Sequence, residues 1–338
     1  MEKKKTISWV VPCFNEEKVI LETLKRIRKV SKKINKYNWE LILIDDGSTD
    51  STKKTILGIK NYPLKIILLC FSRNFGHQQA VQAGLDNCSG SASVIIDADL
   101  QDPPEIAERM IEKWEKGYKV VYGQRTIRRQ ENIFKKFTAF IFYRLLNFFS
   151  GIKIPLDTGD FRLIDRTVID ELKKFPEKGR FMRGLIAWVG FNQISVLYER
   201  DPRFAGVTKY SLRKMVSFAI EGLTNFSRRP LRLATFMGLF FSSLSFFGIV
   251  YVLYIRLLTQ NWVAGWAAIC MTILLSSGIQ LIFIGLLGEY IGNIFFETKN
   301  RPLYIVEEKK VLNKKIISFV SREKKLRWLI PTNINRLV

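Results

Sequence analysis

Two long charge-free runs toward the C-terminal end constrain this chain more than any other feature. Leu233–Ile255 is 23 residues without a charged side chain, and Val263–Gly288 is 26 more. At 1.5 Å per helical residue, about 20 residues cross a hydrocarbon core of roughly 30 Å. Both runs qualify as transmembrane helices. The alternative is a pair of buried helices in a large soluble core, but little chain is left to bury them. The link from Leu258 to Trp262 reads as an extracytoplasmic turn, with Trp262 and Trp266 at an interface. Arg228, Arg229 and Arg232 precede the first run, and Lys299 and Arg301 follow the second. The positive-inside rule then places both long flanks, and both termini, in the cytoplasm. The expectation is a multi-pass protein of the inner (plasma) membrane. Residues 1–210 form its cytoplasmic unit, 211–232 a juxtamembrane amphipathic helix, 233–288 the two spans and 289–338 a basic cytoplasmic tail. No long apolar signal region precedes the strand-like stretch Thr6–Val11.

The net charge of +23 suits a polyanion, either nucleic acid or an anionic membrane surface. Its distribution favours the membrane. Residues 37–123 hold nine basic and twelve acidic groups, whereas 200–232 hold eight and two and 299–338 hold eleven and three. A uniformly basic nucleic-acid binder does not have this pattern, so no nucleic-acid partner is expected. A hydrophobic share of 47% excludes a disordered chain. The four cysteines lack C-x-x-C spacing and His77 is the only histidine, which argues against zinc sites and against chemistry relying on several histidines. Few scattered cysteines suit a reducing compartment.

In the cytoplasmic unit, short apolar runs alternate with helical periodicity. Strands are expected at Thr6–Val11, Leu41–Ile44, Leu64–Phe71, Ser93–Ile96 and Lys119–Tyr122. Helices are expected at Glu16–Ile34, Gly76–Leu85 and from Pro103 to Trp114. This order predicts an α/β fold with a doubly wound, mostly parallel sheet, whose ligands bind beyond the carboxyl ends of the strands. Carboxylates cluster at three of those ends: Glu16 and Glu17, Asp45 and Asp46, Asp97 and Asp99. An Asp-x-Asp pair can hold a hard divalent cation, which can in turn neutralise a diphosphate. Alone, such a pair is more often a cap or a solvated turn.

The motifs resemble glycosyltransferase family 2 of the GT-A type. They are Val10-Val11-Pro12-Cys13-Phe14-Asn15-Glu16-Glu17, Asp45-Asp46-Gly47-Ser48-Thr49-Asp50, Ser72-Arg73-Asn74-Phe75-Gly76 and Asp97-Ala98-Asp99-Leu100-Gln101-Asp102-Pro103-Pro104. Asp157-Thr158-Gly159-Asp160-Phe161-Arg162-Leu163, the runs 206–212 and 225–231, and Asn300-Arg301-Pro302-Leu303-Tyr304 narrow the likeness to the polyprenyl-phosphate glycosyltransferases, the dolichol-phosphate mannose synthase-like enzymes with C-terminal spans.

That resemblance implies a Rossmann-like GT-A domain and an inverting transfer from a nucleotide-diphosphate sugar to a polyprenyl phosphate. UDP-glucose and undecaprenyl phosphate are the specific expectations, with Mg²⁺ or Mn²⁺ as cofactor and self-association into a homo-oligomer. It implies that Pro12, Phe14, Glu16 and Asp46 line the nucleoside pocket. Asp97, Ala98 and Asp99 then face the diphosphate, with Asp99 the main metal ligand and Asp97 and Gln101 beside it. Arg125, Arg128, Arg200 and Lys209 are candidates to grip the acceptor phosphate, since guanidinium forks match phosphate oxygens. The family often has Ser where this chain has Gln124. Asp157 is the candidate base or sugar-orienting carboxylate, a turn residue being its plainer role. His77 reads as a helix-packing or polar-contact residue rather than a base.

Two amphipathic stretches, Ile133–Phe149 and Ser211–Phe226, carry apolar faces with basic flanks and suit helices lying in the headgroup region. Core packing is their alternative. A processive polysaccharide synthase of the same superfamily is one rival, but such enzymes carry Gln-x-x-Arg-Trp and more spans. Here the corresponding region is Arg180-Phe181-Met182-Arg183-Gly184. A non-enzymatic basic membrane scaffold is the other rival, and it gives Asp97 and Asp99 no role.

Overall fold

The apolar runs become strands because their side chains are buried on both faces, as a sheet covered by helices requires. The computed structural model describes residues 4–126, 158–199, 229–258 and 265–312. Along the first of these lie β1 (Thr6–Cys13), α1 (Ile20–Lys33), β2 (Asn38–Asp45), α2 (Thr52–Leu57), β3 (Lys65–Phe71), α3 (His77–Asn87), β4 (Ala92–Ile95), α4 (Ala107–Glu115) and β5 (Val120–Arg125). Then come β6 (Thr158–Asp165), α5 (Arg166–Lys173), α6 (Met182–Trp188), β7 (Gln193–Tyr198), α7 (Arg229–Leu258), α8 (Trp266–Thr298) and β8 (Val306–Leu312). A single 3-10 turn, Pro104–Ile106, precedes α4, so the helix expected from Pro103 starts as a tighter turn.

The eight strands form one sheet in the order β7-β5-β6-β4-β1-β2-β3-β8. Strands β1 to β4 are mutually parallel, as expected. Two strands run against them. β6 pairs antiparallel with both β4 and β5, with Arg162 opposite Ile95 and Thr158 opposite Gln124. This reversal brings the beginning of β6, rather than its end, to the carboxyl ends of β4 and β5.

Alternate residues of each strand feed two apolar layers. Trp9, Val11, Leu41, Leu43 and Leu68 pack with Leu24 and Ile27 of α1 and with Met110 and Ile111 of α4. Val10, Ile42, Ile44 and Leu69 pack with Ala80 and Val81 of α3, Val168 and Leu172 of α5 and Leu185 of α6. Each such side chain contributes about 1.5–3 kcal/mol on burial. Helix α3 lies so close to the sheet that a Cβ on Gly84 would meet Val10 Cγ1 at 2.2 Å.

The C-terminal segment departs from the expected tail. Residues 289–298 complete α8, and β8 returns to the sheet as its last strand, antiparallel to β3 on the side away from β2. Tyr304 anchors the return, stacked on Phe71 with ring centroids 5.1 Å apart and donating to Asp86 Oδ2 at 2.8 Å. The end of α8 is held as well, because Glu297 Oε1 accepts from Lys178 N at 2.6 Å. A boundary near residue 210 thus divides one sheet, for the last strand comes from beyond both apolar runs.

Both apolar runs are helical in their described parts, α7 covering 233–255 and α8 covering the second from Trp266. Among the described residues, one segment is long and apolar enough to cross a membrane: Leu275–Thr298, with mean hydropathy 1.6 and none of it buried. A hairpin of two spans is therefore not established by the fold. Trp262 and the amphipathic stretches 133–149 and 211–226 lie outside the described residues.

Candidate active site

The strand-end groups expected from the sequence converge at one edge of the sheet, beyond β1, β2, β4 and β5, where open α/β sheets bind ligands. Past β1 and β2 the chain laces two loops together through backbone N–H groups. Asn15, at φ +54°, accepts from Thr49 N at 2.8 Å, and its own N–H donates to Ser48 Oγ at 3.0 Å. Glu16 N donates to Thr52 Oγ1 at 2.8 Å, and Glu17 accepts from Ser51 N at 3.0 Å. Pro12 is buried, while Phe14 and Glu16 are half-buried at this edge.

Asp46 is buried, and its carboxylate accepts from Phe75 N at 2.7 Å and Gly76 N at 3.0 Å. Burial raises its pKa, with those two donors opposing the shift. Asp46 thus holds the loop before α3 in place. Gly47, at φ +66°, sits against that loop, and a Cβ there would meet Arg73 carbonyl carbon at 2.4 Å.

Beyond β4 lie the aspartates. Ala98 is buried and its carbonyl accepts from Thr23 Oγ1 at 2.7 Å, which ties the turn to α1. Asp99 Oδ1 accepts from Gln101 N at 3.1 Å. Between them Leu100 is buried at φ +59°, a left-handed conformation costly for a bulky side chain. Such strain persists only where surrounding contacts enforce it, and here it turns the chain between Asp99 and Gln101.

The reversed strand β6 adds a second cluster that the sequence reading did not assemble. Asp160 accepts from Arg183 Nε at 2.8 Å and Nη2 at 3.3 Å, and from Gln78 Nε2 at 3.2 Å. His77 Nε2 stands 3.3 Å from Asp160 Oδ2 and 3.5 Å from Asp97 Oδ1. Burial opposes the charge on His77, but Asp97 and Asp160 override it and lift its pKa to about 9. Burial pushes Asp97 up to about 6, with His77 pulling the other way. Asp160 is desolvated too, yet Arg183 and His77 hold it well below the usual carboxylate range. The polar contact expected for His77 is therefore a place between two carboxylates.

Asp102, also buried, accepts from the Tyr198 hydroxyl and lies 3.9 Å from Arg125 Nη2. Arg125 Nε donates to Tyr198 Oη at 3.4 Å. Burial disfavours the charge on Arg125, but Asp102 and Tyr198 outweigh it and its pKa rises. A Cβ on Gly159 would come 2.9 Å from Arg125 Nη2, so glycine here lets the guanidinium lie where it does.

The structure thus brings Pro12, Phe14, Glu16, Asp46, Asp97, Ala98, Asp99, Gln101 and Arg125 to one edge. Asp157, Arg128, Arg200 and Lys209 lie outside the described residues. The residues missed were Gln78, Asp102, Asp160, Arg183 and Tyr198. Asp102 and Asp160 stood inside motifs already singled out, and Arg183 in the segment weighed against Gln-x-x-Arg-Trp.

Among the described residues, no group of three or more His, Cys, Asp or Glu side chains forms a ready metal cage. The donor set still fits Mg²⁺ or Mn²⁺. These ions take oxygen ligands, and Mg²⁺ commonly binds through one or two carboxylates completed by substrate phosphates and water. Asp97 and Asp99 supply such a pair.

An open α/β sheet with carboxylates gathered beyond its strand ends defines the class of fold, and comparison with known proteins gives the family. The model for Glycosyl transferase family 2 matches residues 8–173. An uncharacterized glycosyltransferase of Bacillus subtilis (strain 168) is 50% identical over 301 residues, covering 89% of this chain and 93% of its own. One from Synechocystis sp. is 41% identical over 305 residues, covering 89% and 95%. The bactoprenol glucosyl transferase of Shigella phage SfX is 41% identical over 304 residues, covering 90% and 99%. The chain belongs to glycosyl transferase family 2 and is a glycosyltransferase.

Proposed function

We propose that this enzyme moves glucose from UDP-glucose to a polyprenyl phosphate, undecaprenyl phosphate in particular, on the cytoplasmic leaflet. The observation that carries the reading is the end-to-end match to a bactoprenol glucosyl transferase, covering 99% of that relative and 90% of this chain. The match is too long to be confined to the sugar-transfer domain. It takes in the apolar helices as well.

In this reading the nucleoside rests against Pro12, Phe14 and Glu16 over a floor held by Asp46, and the diphosphate meets Asp97, Ala98 and Asp99. Mg²⁺ or Mn²⁺, held by Asp99 and Asp97 with Gln101 beside them, supplies neutralisation of the leaving diphosphate's charge. An oxygen of the acceptor phosphate forms the new bond to the anomeric carbon, the bond from that carbon to the UDP oxygen breaks, and UDP leaves with the electron pair. Attack from the opposite face inverts the anomeric centre. A phosphate monoester with a second pKa of about 6 is largely ionised at neutral pH and asks little of a base. Asp157 takes the role of base or sugar-orienting group. Asp160 is unsuited to it, since both its oxygens are engaged by Arg183, Gln78 and His77. Arg125, Arg128, Arg200 and Lys209 grip the acceptor phosphate.

Two spans, α7 and α8, with basic flanks on the cytoplasmic side, hold this site at the leaflet where the lipid's headgroup is presented. Self-association is part of the proposal. The test is to incubate membranes containing the full chain with radiolabelled UDP-glucose, polyprenyl phosphate and Mg²⁺ or Mn²⁺, and to follow label into the organic phase. Lipid-linked label is expected. Its absence with every UDP-sugar would overturn the proposal.

A further inference from the structure

Resting on the reading that α8 spans the membrane, we infer that the α5–α6 segment is a bilayer-contact surface separate from the spans, with Trp188 seated among the headgroups of an anionic leaflet and the lysines at the end of α5 beside it. The end of α8 fixes where this segment lies. The apolar segment Leu275–Thr298 runs to the last turn of that helix. There the Glu297 carboxylate accepts from Lys178 N at 2.6 Å and Gly179 N at 3.4 Å, and Lys178 Nζ donates to Asn300 Oδ1 at 3.1 Å. The turn between α5 and α6 is thereby held where the apolar helix ends, which is where a span meets the headgroups. The two backbone donors also supply the hydrogen bonds that a carboxylate at that boundary needs.

Short distances keep Trp188 near that level. Phe175 precedes Lys178 closely enough in the chain that their Cα atoms are at most about 11 Å apart. The Trp188 ring meets the Phe175 ring edge-on, with centroids 5.3 Å apart. The polar layer of a leaflet is itself about 5–8 Å thick. Trp188 is 62% exposed, although Leu185 and Ile186 of the same helix are buried. Among the described residues before α7, it is the one aromatic side chain in the exposed class. Single exposed aliphatic residues, such as Leu21 and Leu197, are ordinary on a soluble surface. An indole, apolar with one N–H donor, is the side chain that favours a membrane–water interface.

The charge around Trp188 selects the occupant. Residues 173–188 hold five basic groups and one acidic, and Lys299 and Arg301 follow the end of α8. Arg180 is buried and donates to the carbonyls of Leu172 and Phe175, and Arg183 is turned inward to Asp160. Lys173 and Lys174 are exposed. Lys174 meets Glu171 at 2.7 Å in a pair open to solvent, and such a pair gives way to lipid phosphates at little cost. A protein partner would also cover an indole, but a basic rim continuous with the end of a span matches an anionic leaflet. α6 packs through Leu185 and Ile186 into the apolar layer beneath the sheet, so seating its outer face on the leaflet limits how far the domain can tilt about the end of α8.

The experiment places full chains of wild type, Trp188→Phe and the double variant Lys173→Gln/Lys174→Gln in nanodiscs of phosphatidylcholine and phosphatidylglycerol in equal parts. Lipids brominated near the headgroup end of their acyl chains quench tryptophan emission from the bilayer side, iodide quenches it from the water, and melting temperature follows folding. Subtracting the Trp188→Phe emission from that of wild type isolates Trp188, and Trp188→Tyr supplies the same subtraction if the phenylalanine variant does not fold. That component is expected to be quenched by brominated lipid and shielded from iodide. Attraction to an anionic surface is about fivefold per lysine, so the double variant is expected to weaken the contact about 25-fold and to lose most of the lipid quenching. Wild type in phosphatidylcholine alone is expected to behave in the same way. A Trp188 component quenched by iodide and untouched by brominated lipid would overturn the inference. Shielding from both quenchers would mean that protein covers Trp188, a second copy or another partner, and overturns it equally. Lipid quenching that neither the lysine substitutions nor the loss of phosphatidylglycerol reduces would overturn the choice of an anionic leaflet. A wild-type chain that alkaline carbonate releases from membranes overturns the spanning reading itself, which is a different result from a chain that resists release with Trp188 in water.

Discussion

The two sides of the strand-end edge are built by opposite means. Beyond β1 and β2, polar side chains are spent on backbone donors: Asn15 on Thr49 N, Glu17 on Ser51 N, Asp46 on Phe75 N and Gly76 N. Beyond β4 and β6, charged side chains face one another: His77 between Asp97 and Asp160, Arg183 on Asp160, Arg125 beside Asp102. The first side is a rigid mould, since a carboxylate holding two N–H groups fixes a loop's shape. The second is an electrostatic balance whose geometry depends on each charge keeping its partner. A nucleoside needs shape, and a leaving diphosphate needs charge placed in advance. Substitutions on the first side should therefore appear chiefly as lost stability, and those on the second as lost activity in a folded protein.

The largest effect that would sharpen this contrast is Asp99→Ala. On the role proposed for Asp99 as main metal ligand at the diphosphate, its loss is expected to cost several kcal/mol of transition-state stabilisation, about a thousandfold in kcat or more, with the melting temperature little changed. Transfer assays on membrane-inserted protein measure it, and a folded variant with ordinary turnover would break the comparison. Next comes Asp46→Ala. Two backbone donors, from Phe75 and Gly76, lose a charged acceptor, which is expected to cost about 2–3 kcal/mol of stability. Thermal or denaturant unfolding reads that loss. Asp46→Asn keeps one acceptor oxygen and should lie between. Smaller again is Gly159→Ala. The new Cβ would stand 2.9 Å from Arg125 Nη2, the far end of a flexible side chain that can swing away. Displacing it off its rotamer costs about 0.5–1.5 kcal/mol, so a two- to tenfold rise in acceptor KM is expected with folding nearly unaffected. An unchanged acceptor KM would remove Arg125 from the phosphate-gripping set.

What was legible in the sequence follows the same division. The mould is local. Asp46 lies one residue past β2, and its partners belong to the Ser72–Gly76 run at the end of β3, so neighbouring parallel strands suffice to bring them together. Hydrophobic periodicity found the parallel strands because both of their faces are buried, as in Leu41–Ile44. The balance is not local. Asp160 meets Asp97 only because β6 runs backward, and alternation of apolar residues carries no sign of strand direction. Arg183 stands 23 residues further on in a helix whose docking depends on that reversal. β8 escaped detection for a related reason. Val306-Glu307-Glu308-Lys309-Lys310-Val311-Leu312 is too charged to read as a buried strand, yet an edge strand with one wet face tolerates that composition. Tyr304, bonded to Asp86 across 218 residues of sequence, and the clamp of Lys178 on Glu297, across 119, bring it home.

The smallest expected effect tests the balance through pH. His77 has an ordinary pKa of 6.5 and is raised in the folded protein to about 9 by Asp97 and Asp160, against the opposing effect of burial. The folded state therefore binds this proton more tightly than the unfolded chain does. The stability gained is fully present below about 6.5 and is lost as pH rises through about 9. His77 is a third exposed, so solvent screens the pair and the gain is about 1 kcal/mol, or about 2–4 °C in melting temperature. Without added dication, the wild-type melting temperature is expected to fall by that amount between pH 6.5 and 9.5, beyond any decline shared by a His77→Gln protein. The His77→Gln curve should lack this component, because glutamine binds no proton in that range. A wild-type curve parallel to that of His77→Gln would mean that the charges around His77 do not hold one another in place, and the division between mould and balance would fail at its centre.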